Sequence, residues 1–416
     1  MNYSKQTIFF CFLFCSTRVL GQNTVSPYSV YGIGDIDFRA YNRTSGMAST
    51  GLALQSSFYA VDNNPASLTG LTRSFYIADV STVGRSVQYK GDPITAENSN
   101  NKDFWIKRFG LAVKINKRWA SGIGIRQFSS INYAFNGSKS VEGTTNTYIT
   151  SYTGDGGLNE YYWNNAVAID KHLSVGLRSS IIAGAINQTE TISDDALQSV
   201  ITTKQQDYFG QLRFQLGALY GTKLSKKWDM SLGARFAPKT KMVSERTLTV
   251  TENGTALVND EFLKNDRFYL PNTFAGGIAL KRNNKTTFAF DYTYEDWSSL
   301  KIKEQGWQLI SSHRVSGGVE FSKQQFIANQ RIERRYFQLG AFLNNSYLQV
   351  RNQPITEFGF TAGMGGFINS NLLYNIGIEA GSRGTTQAKL IKENYIQVTL
   401  GFSYRDFLFS KGRKYN

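Results

Sequence analysis

The chain has 416 residues, 41% hydrophobic and 19% charged, with a mean hydropathy of −0.33. That excludes a bundle of membrane helices on one side and a disordered chain on the other. Two His and two Cys argue against zinc sites and Cys/His catalysis, while a net charge of +15 leaves nucleic acid or an anionic membrane as partners. The 38 Gly, 29 Phe and 23 Tyr beside only 6 Pro favour many β-strands over long helices.

Residues 1–21 read as a secretory signal peptide. Lys5 precedes the apolar run Thr7–Cys15, and small Gly21 offers a cleavage point before Gln22. Cys11 and Cys15 follow Phe residues, which disfavours a lipidation signal, and both leave with the peptide. The expected mature chain then has no cysteine, and the +15 balance falls by two, to +13, with loss of Lys5 and Arg18. No later stretch offers about 18 uninterrupted apolar residues, so no membrane helix is expected. An exported, strand-rich, cysteine-free chain points to a bacterial envelope.

Residues 22–72 do not alternate cleanly, yet Tyr28, Tyr31, Phe38, Tyr41, Phe58, Tyr59 and Leu68 make them too aromatic for a linker. They contain Ser26-Pro27-Tyr28, the small-residue stretch around Gly46 and Gly51, and Asn64-Pro65-Ala66 near their end. Proline stiffens such a turn, Asn satisfies nearby backbone groups, and Ala permits close packing.

From about residue 73 the apolar pattern has period two, as in Phe109–Ile115 and Ile396–Arg405. It predicts fourteen strands, near 73–89, 104–116, 119–141, 159–170, 173–193, 206–224, 228–251, 265–281, 286–300, 309–321, 334–352, 356–369, 372–383 and 393–410. Connections after even strands are short, such as Lys117-Arg118 and Lys171-His172, with Ser322–Glu333 as the exception. Those after odd strands are expected as long polar loops: Gly91–Asp103, Glu142–Leu158, Asp194–Gln205 and Glu252–Phe262. This asymmetry, and an even strand count, predict an outer-membrane barrel with both chain ends in the periplasm. Trp119 and Trp228 after short turns, with Trp105, Trp163, Trp297 and Trp307 near the other strand ends, are expected to form interfacial girdles.

With apolar faces turned to lipid, Arg108, Lys114, Arg126, Arg178, Arg213, Arg235, Arg314 and Arg405 point inward, against Asp291, Glu295, Glu320 and Glu379. The lumen is thus expected either to have a basic excess, with Arg108, Arg126, Arg178, Arg213, Arg235 and Arg314 as candidate ligand contacts, or to be a paired, water-filled interior with no selectivity. Pro238 and Pro271 are expected at one height on adjacent strands, either above the lipid or at a lateral gap. Gly122 and Gly124 are kink candidates in the third strand. His172 and His313 are too isolated for a metal, no phosphate loop or Ser/His/Asp grouping is recognisable, and Asn-x-Ser/Thr sites such as Asn42 and Asn136 carry no weight in a polar chain. Neither cofactor, metal nor nucleic acid is expected, because the positive charges are scattered over luminal and turn positions.

Asn64-Pro65-Ala66, the Gly46 and Gly51 run and the following strand pattern resemble the FadL-like outer-membrane transporters of long-chain fatty acids and aromatic hydrocarbons. Ser26-Pro27-Tyr28 and the basic end Lys411-Gly412-Arg413-Lys414 resemble a Bacteroidota branch. The resemblance implies an all-β fold: a fourteen-stranded antiparallel transmembrane barrel (73–410) with an N-terminal luminal hatch (22–72) and a basic periplasmic tail (411–416). It implies passive uptake of hydrophobic or amphipathic small molecules, with Asn64, Pro65 and Ala66 ordering the hatch and outer-membrane lipid around the barrel. The competing expectation is a non-transporting barrel that binds outer-membrane or periplasmic proteins, as in type IX secretion or barrel-insertion machinery. An outer-membrane phospholipase has little support in the residues.

Overall fold

The computed structural model describes residues 26–73, 75–92, 94, 99–140, 147–194, 199–327 and 330–408. The expected signal peptide and the basic tail 411–416 lie outside them. Fourteen transmembrane strands form one antiparallel barrel. They are β1 (Phe75–Gly91), β2 (Asn100–Lys114), β3 (Trp119–Ser140), β4 (Thr147–Ala168), β5 (Leu173–Asp194) and β6 (Ser199–Lys223). Two strands are interrupted: β7 (Trp228–Ala237, Thr240–Glu252) and β8 (Thr255–Leu270, Thr273–Arg282). The rest are β9 (Thr286–Glu295), β10 (Ser312–Ile327), β11 (Gln330–Val350), β12 (Gln353–Phe367), β13 (Leu372–Arg383) and β14 (Ile391–Phe407). β14 closes on β1 from Phe75↔Phe407 to Gly91↔Ile391, so the barrel has no seam there. Outward positions are exposed and apolar, as Phe358, Phe360 and Ile396 illustrate. Among the described residues no helix is long and apolar enough to cross a membrane.

The long polar loops expected after the odd strands are mostly strand. Glu252–Phe262 is a hairpin turning at Asn253-Gly254, both at positive φ, and β2, β4 and β6 start at Asn100, Thr147 and Ser199. Their Thr- and Ser-rich sequence hides the alternation because neither face needs lipid above the membrane, yet the backbone ladders continue. Ser322–Glu333 likewise continues the β10–β11 ladder as far as Ile327↔Gln330.

The tryptophan girdle is only partly formed. Trp119 stands at the short-turn rim, and Trp228 follows the 224–227 turn. Trp163 faces outward within the wall, because β4 begins at Thr147 and places it well away from the tall rim. Trp297 is buried, Trp307 lies against Tyr31, and Trp105 donates to Gln127 Oε1. Trp297 and Trp307 fold inward because the strand extensions create a second core above the membrane, and Trp105 turns to the polar interior beside Lys107.

That core roofs the barrel. Ile131, Leu158, Ile182 and Ile186 from the extensions of β3–β5 meet Met242 and Leu270 from β7 and β8, Trp297 and Leu309, and Tyr28 and Ile33 from the N-terminal segment. Trp297 stacks on Tyr347 at 4.6 Å, and Tyr347 donates to Gly34 O at 2.8 Å. Full burial of each aliphatic side chain contributes about 1.5–3 kcal/mol. Trp297→Ala should cost about 3–5 kcal/mol locally. The expected readout is faster hydrogen exchange in the β3–β5 extensions, with the membrane-embedded ladders unchanged.

Candidate functional site: the plugged lumen

Residues 26–73 fill the barrel as a plug of short turns. Asn64 caps the 3-10 turn Pro65–Gly70: its Oδ1 accepts from Ala66 N, and Pro65 sits where no N–H donor is needed. Its Nδ2 donates to Leu52 O, and to the wall carbonyls of Ala218 at 2.9 Å and Ala234 at 3.3 Å. This approach requires bare backbone on the wall. A Cβ on Gly217 would stand 2.1 Å from Asn64 Oδ1. On the opposite wall Gly46 and Gly363 meet backbone to backbone, with each ideal Cβ within 2.7 Å of the other residue's Cα.

Charge fixes the plug's orientation. Arg39 donates to Glu357 at 2.6 Å and Glu379 at 2.7 Å, and also to Tyr395 Oη. Arg43 forks onto Glu320 and Glu333 and lies over the Tyr336 ring. Asp62 faces Arg108 and Arg178, each at 3.4 Å, and Asp35 pairs with Arg383 at 2.7 Å. Asp291 receives the N–H groups of Gly51 and Leu52. These plug ions carried no sequence motif; their partners stand from 46 (Asp62 to Arg108) to 348 (Asp35 to Arg383) residues away along the chain.

The six candidate arginines divide into two groups. Arg108 is paired with Asp79 and Asp62, Arg126 with Glu160, and fully buried Arg178 with Asp62 and Asn164. Among the described residues Arg213, Arg235 and Arg314 have no carboxylate within 4.0 Å. Instead Arg235 donates to Asn63 O, Arg314 to Ala48 O and Arg213 to Thr273 Oγ1. These three border a polar cavity of about 180 Å³ between plug and roof, and each has a buried Nε without a partner. The expected basic excess is absent from the cavity lining, which holds eight acids and eight bases among the described residues. The plug and wall carboxylates Asp35, Asp37, Asp62, Glu160, Glu357 and Glu393 supply the balance.

Two breaks in the wall adjoin this cavity. β2 and β3 pair only from Lys114↔Ala120 to Arg108↔Arg126. A bulge at Lys107 turns both Lys107 and Arg108 inward, and a second bulge in β3 lies at Phe128. Above it the plug strand Asp35–Ile36 pairs with Ser129 and Ser130, and Lys107 holds Asp37 at 3.0 Å while donating to Gln127. Gly122 and Gly124 lie below the bulges in regular ladder. The second break is at Pro238 and Pro271, which do share one height: Ala237 pairs with Thr273 and Thr240 with Leu270. The β6–β7 ladder is interrupted beside them, between Phe209↔Ser244 and Leu216↔Phe236.

A family model described as BamG matches residues 3–416. The chain belongs to the BamG family. No curated protein sequence matches it. Among solved structures this BamG-family barrel is similar to a Pseudomonas aeruginosa FadL homologue at 11% identity, covering 90% of this chain and 100% of that one with a TM-score of 0.61. It is similar to the Pseudomonas putida toluene transporter TodX at 14% identity, 90% and 100% coverage and a TM-score of 0.60. For the monoaromatic hydrocarbon channel CymD the figures are 14%, 91%, 99% and 0.56. At these identities the likeness establishes the fold: a FadL-type outer-membrane β-barrel, whose neighbours are channels and transporters.

Two tests address the plug. Burial opposes ionisation of Asp37 and Asp62, but Lys107 and Arg39 hold the first, and Arg108 and Arg178 the second, well below the usual carboxylate range. Carboxylates depressed on folding stabilise fully above their unfolded value, near pH 4, and lose that contribution progressively as pH falls from there through the folded one. Hydrogen exchange across residues 26–73, corrected for its intrinsic pH dependence, should give equal protection at about pH 7.5 and pH 4.5; weakened protection at the lower pH would contradict this. Arg43→Ala leaves Glu320 and Glu333 buried without their cation and should cost about 3–5 kcal/mol. It should raise exchange in residues 42–50 while the β1–β14 ladder stays protected.

Proposed function

We propose that this BamG-family barrel serves as a closed, non-transporting subunit of a multiprotein outer-membrane assembly, in the class of the barrel-insertion machinery. The observation that carries the reading is the apolar roof of Tyr28, Ile131, Leu158, Ile182, Met242, Leu270 and Trp297 across the mouth. A plug pinned by buried ion pairs lies beneath it, and the cavity between them is lined by charges that offer an apolar solute little. The family name is in keeping with barrel insertion. In this reading export is Sec-dependent, the source is a member of the Bacteroidota, the partners are other outer-membrane or periplasmic proteins, and the barrel performs no enzymatic step.

Passive uptake of a hydrophobic or fatty-acid-like amphipathic molecule is the second reading. The FadL-type fold favours it, and so does the cavity beside two ladder breaks, where Arg213, Arg235 and Arg314 have no carboxylate partner among the described residues and would meet an anionic head group. Displacement of the plug around Asn64, Pro65 and Ala66 would then act as a hatch.

Gentle detergent purification of the tagged protein from its native envelope separates the two. Stoichiometric envelope proteins with an empty barrel are expected. A lone barrel carrying fatty acid, or uptake abolished by Asn64→Ala in an otherwise folded barrel, would overturn the subunit reading in favour of transport.

A further inference from the structure

We propose that the outer wall of β2–β5 holds an anionic phospholipid of the inner leaflet, with acyl chains in a groove and phosphate at the adjoining turns. Acids and bases balance in the cavity lining, so the positive excess of the chain lies elsewhere. Part of it stands at two short turns. Lys117, Arg118 and Lys171 are exposed there, and among the described residues none has an ion-pair partner within 4.0 Å. The neighbouring Asp170 caps its own turn by accepting from the His172 and Leu173 N–H groups. Each turn also presents an exposed aliphatic side chain, Ile115 at 41% and Ile169 at 50%.

Directly above these turns the lipid face is concave and apolar. Ile123, Ile125, Tyr161, Trp163 and Ile181 line a groove of about 590 Å³ whose depth comes from small Ser179 beside Trp163 in the register. Between groove and turns is a polar notch. Trp163 Nε1 donates to Ser121 Oγ at 2.9 Å, and Trp119 Nε1 to Asn165 Oδ1 at 3.2 Å. Chain-binding groove, indole belt and basic foot follow one another in the order of a phospholipid's acyl chains, ester linkages and phosphate. An acidic protein face would match the basic foot alone and would leave the groove unexplained.

The test uses the full chain in mild detergent, its folding checked by heat-modifiable migration. It is exchanged into mixed micelles of phosphatidylglycerol and phosphatidylcholine with identical chains, and retained lipid is counted by native mass spectrometry. The wild type should retain phosphatidylglycerol about tenfold over phosphatidylcholine, as expected for a few cations near a phosphate. Lys117→Gln, Arg118→Gln and Lys171→Gln together should bring the ratio to about one, and Ile123→Trp, which fills the groove, should lower retention of both lipids. Equal retention by the wild type, or a preference untouched by the triple substitution, would overturn the site. Release of a co-purified protein by the triple variant with lipid preference intact would assign the turns to a protein partner instead.

Discussion

A charge on a membrane strand has one place to go. At mid-depth the lipid face cannot solvate it, and an arginine there costs about 2–4 kcal/mol, so every ionised side chain of the wall is driven into the lumen. Inside, it needs a counter-ion, because a buried unpaired charge is itself destabilising. The N-terminal segment meets that need. Arg39 and Arg43 enter where the β10–β13 wall is acidic, and Asp37 and Asp62 enter where the β2–β5 wall is basic. The plug is held as the missing half of the wall's charge pattern.

Charge pairing also explains the glycines. An ion pair across the lumen fixes the plug's depth, and at that depth its backbone lies against the strands. Asn64 can reach the Ala218 and Ala234 carbonyls only across bare Gly217, and Gly46 meets Gly363 on the far side. Asn-Pro-Ala works here as a cap and a contact together. The same side chain that starts one turn ties that turn to two wall strands, so motif and barrel specify each other.

The sequence made the wall legible and left the lumen mostly hidden, for a physical reason. Period-two alternation is local, so Phe109–Ile115 and Ile396–Arg405 announce a half-lipid strand without knowledge of a partner. Inward arginines follow by subtraction. Pairing is not local: Asp62 and Arg178 stand 116 residues apart, and Arg39 and Glu357 stand 318 apart. The expected basic lumen failed on that point, since neutralising carboxylates such as Glu160 and Glu357 are single residues in unremarkable strands. Above the membrane the same rule runs in reverse. There the outer face no longer needs lipid, alternation weakens, and paired Thr-rich strands pass for loops. Trp297, read as interfacial, is instead the centre of the core those strands build.

Two closures of different chemistry are stacked in one barrel, and they respond to different perturbations. The roof is apolar and would yield to anything that solvates its buried side chains. The plug is ionic, and its carboxylates at Asp37 and Asp62 stay charged far into acid. A solute arriving from outside meets the roof first and finds, behind it, a lining of fixed charges already compensated by one another. The ladder breaks at Lys107–Phe128 and at Pro238–Pro271 are the places where the wall itself is weakest. One of them is patched by the plug strand Asp35–Ile36, so removing the plug would also unpair the β3 edge. Clearing the lumen therefore exposes an unsatisfied sheet edge in the wall. That coupling makes the filled barrel the low-energy state, the rigid cylinder against which the proposed assembly would build.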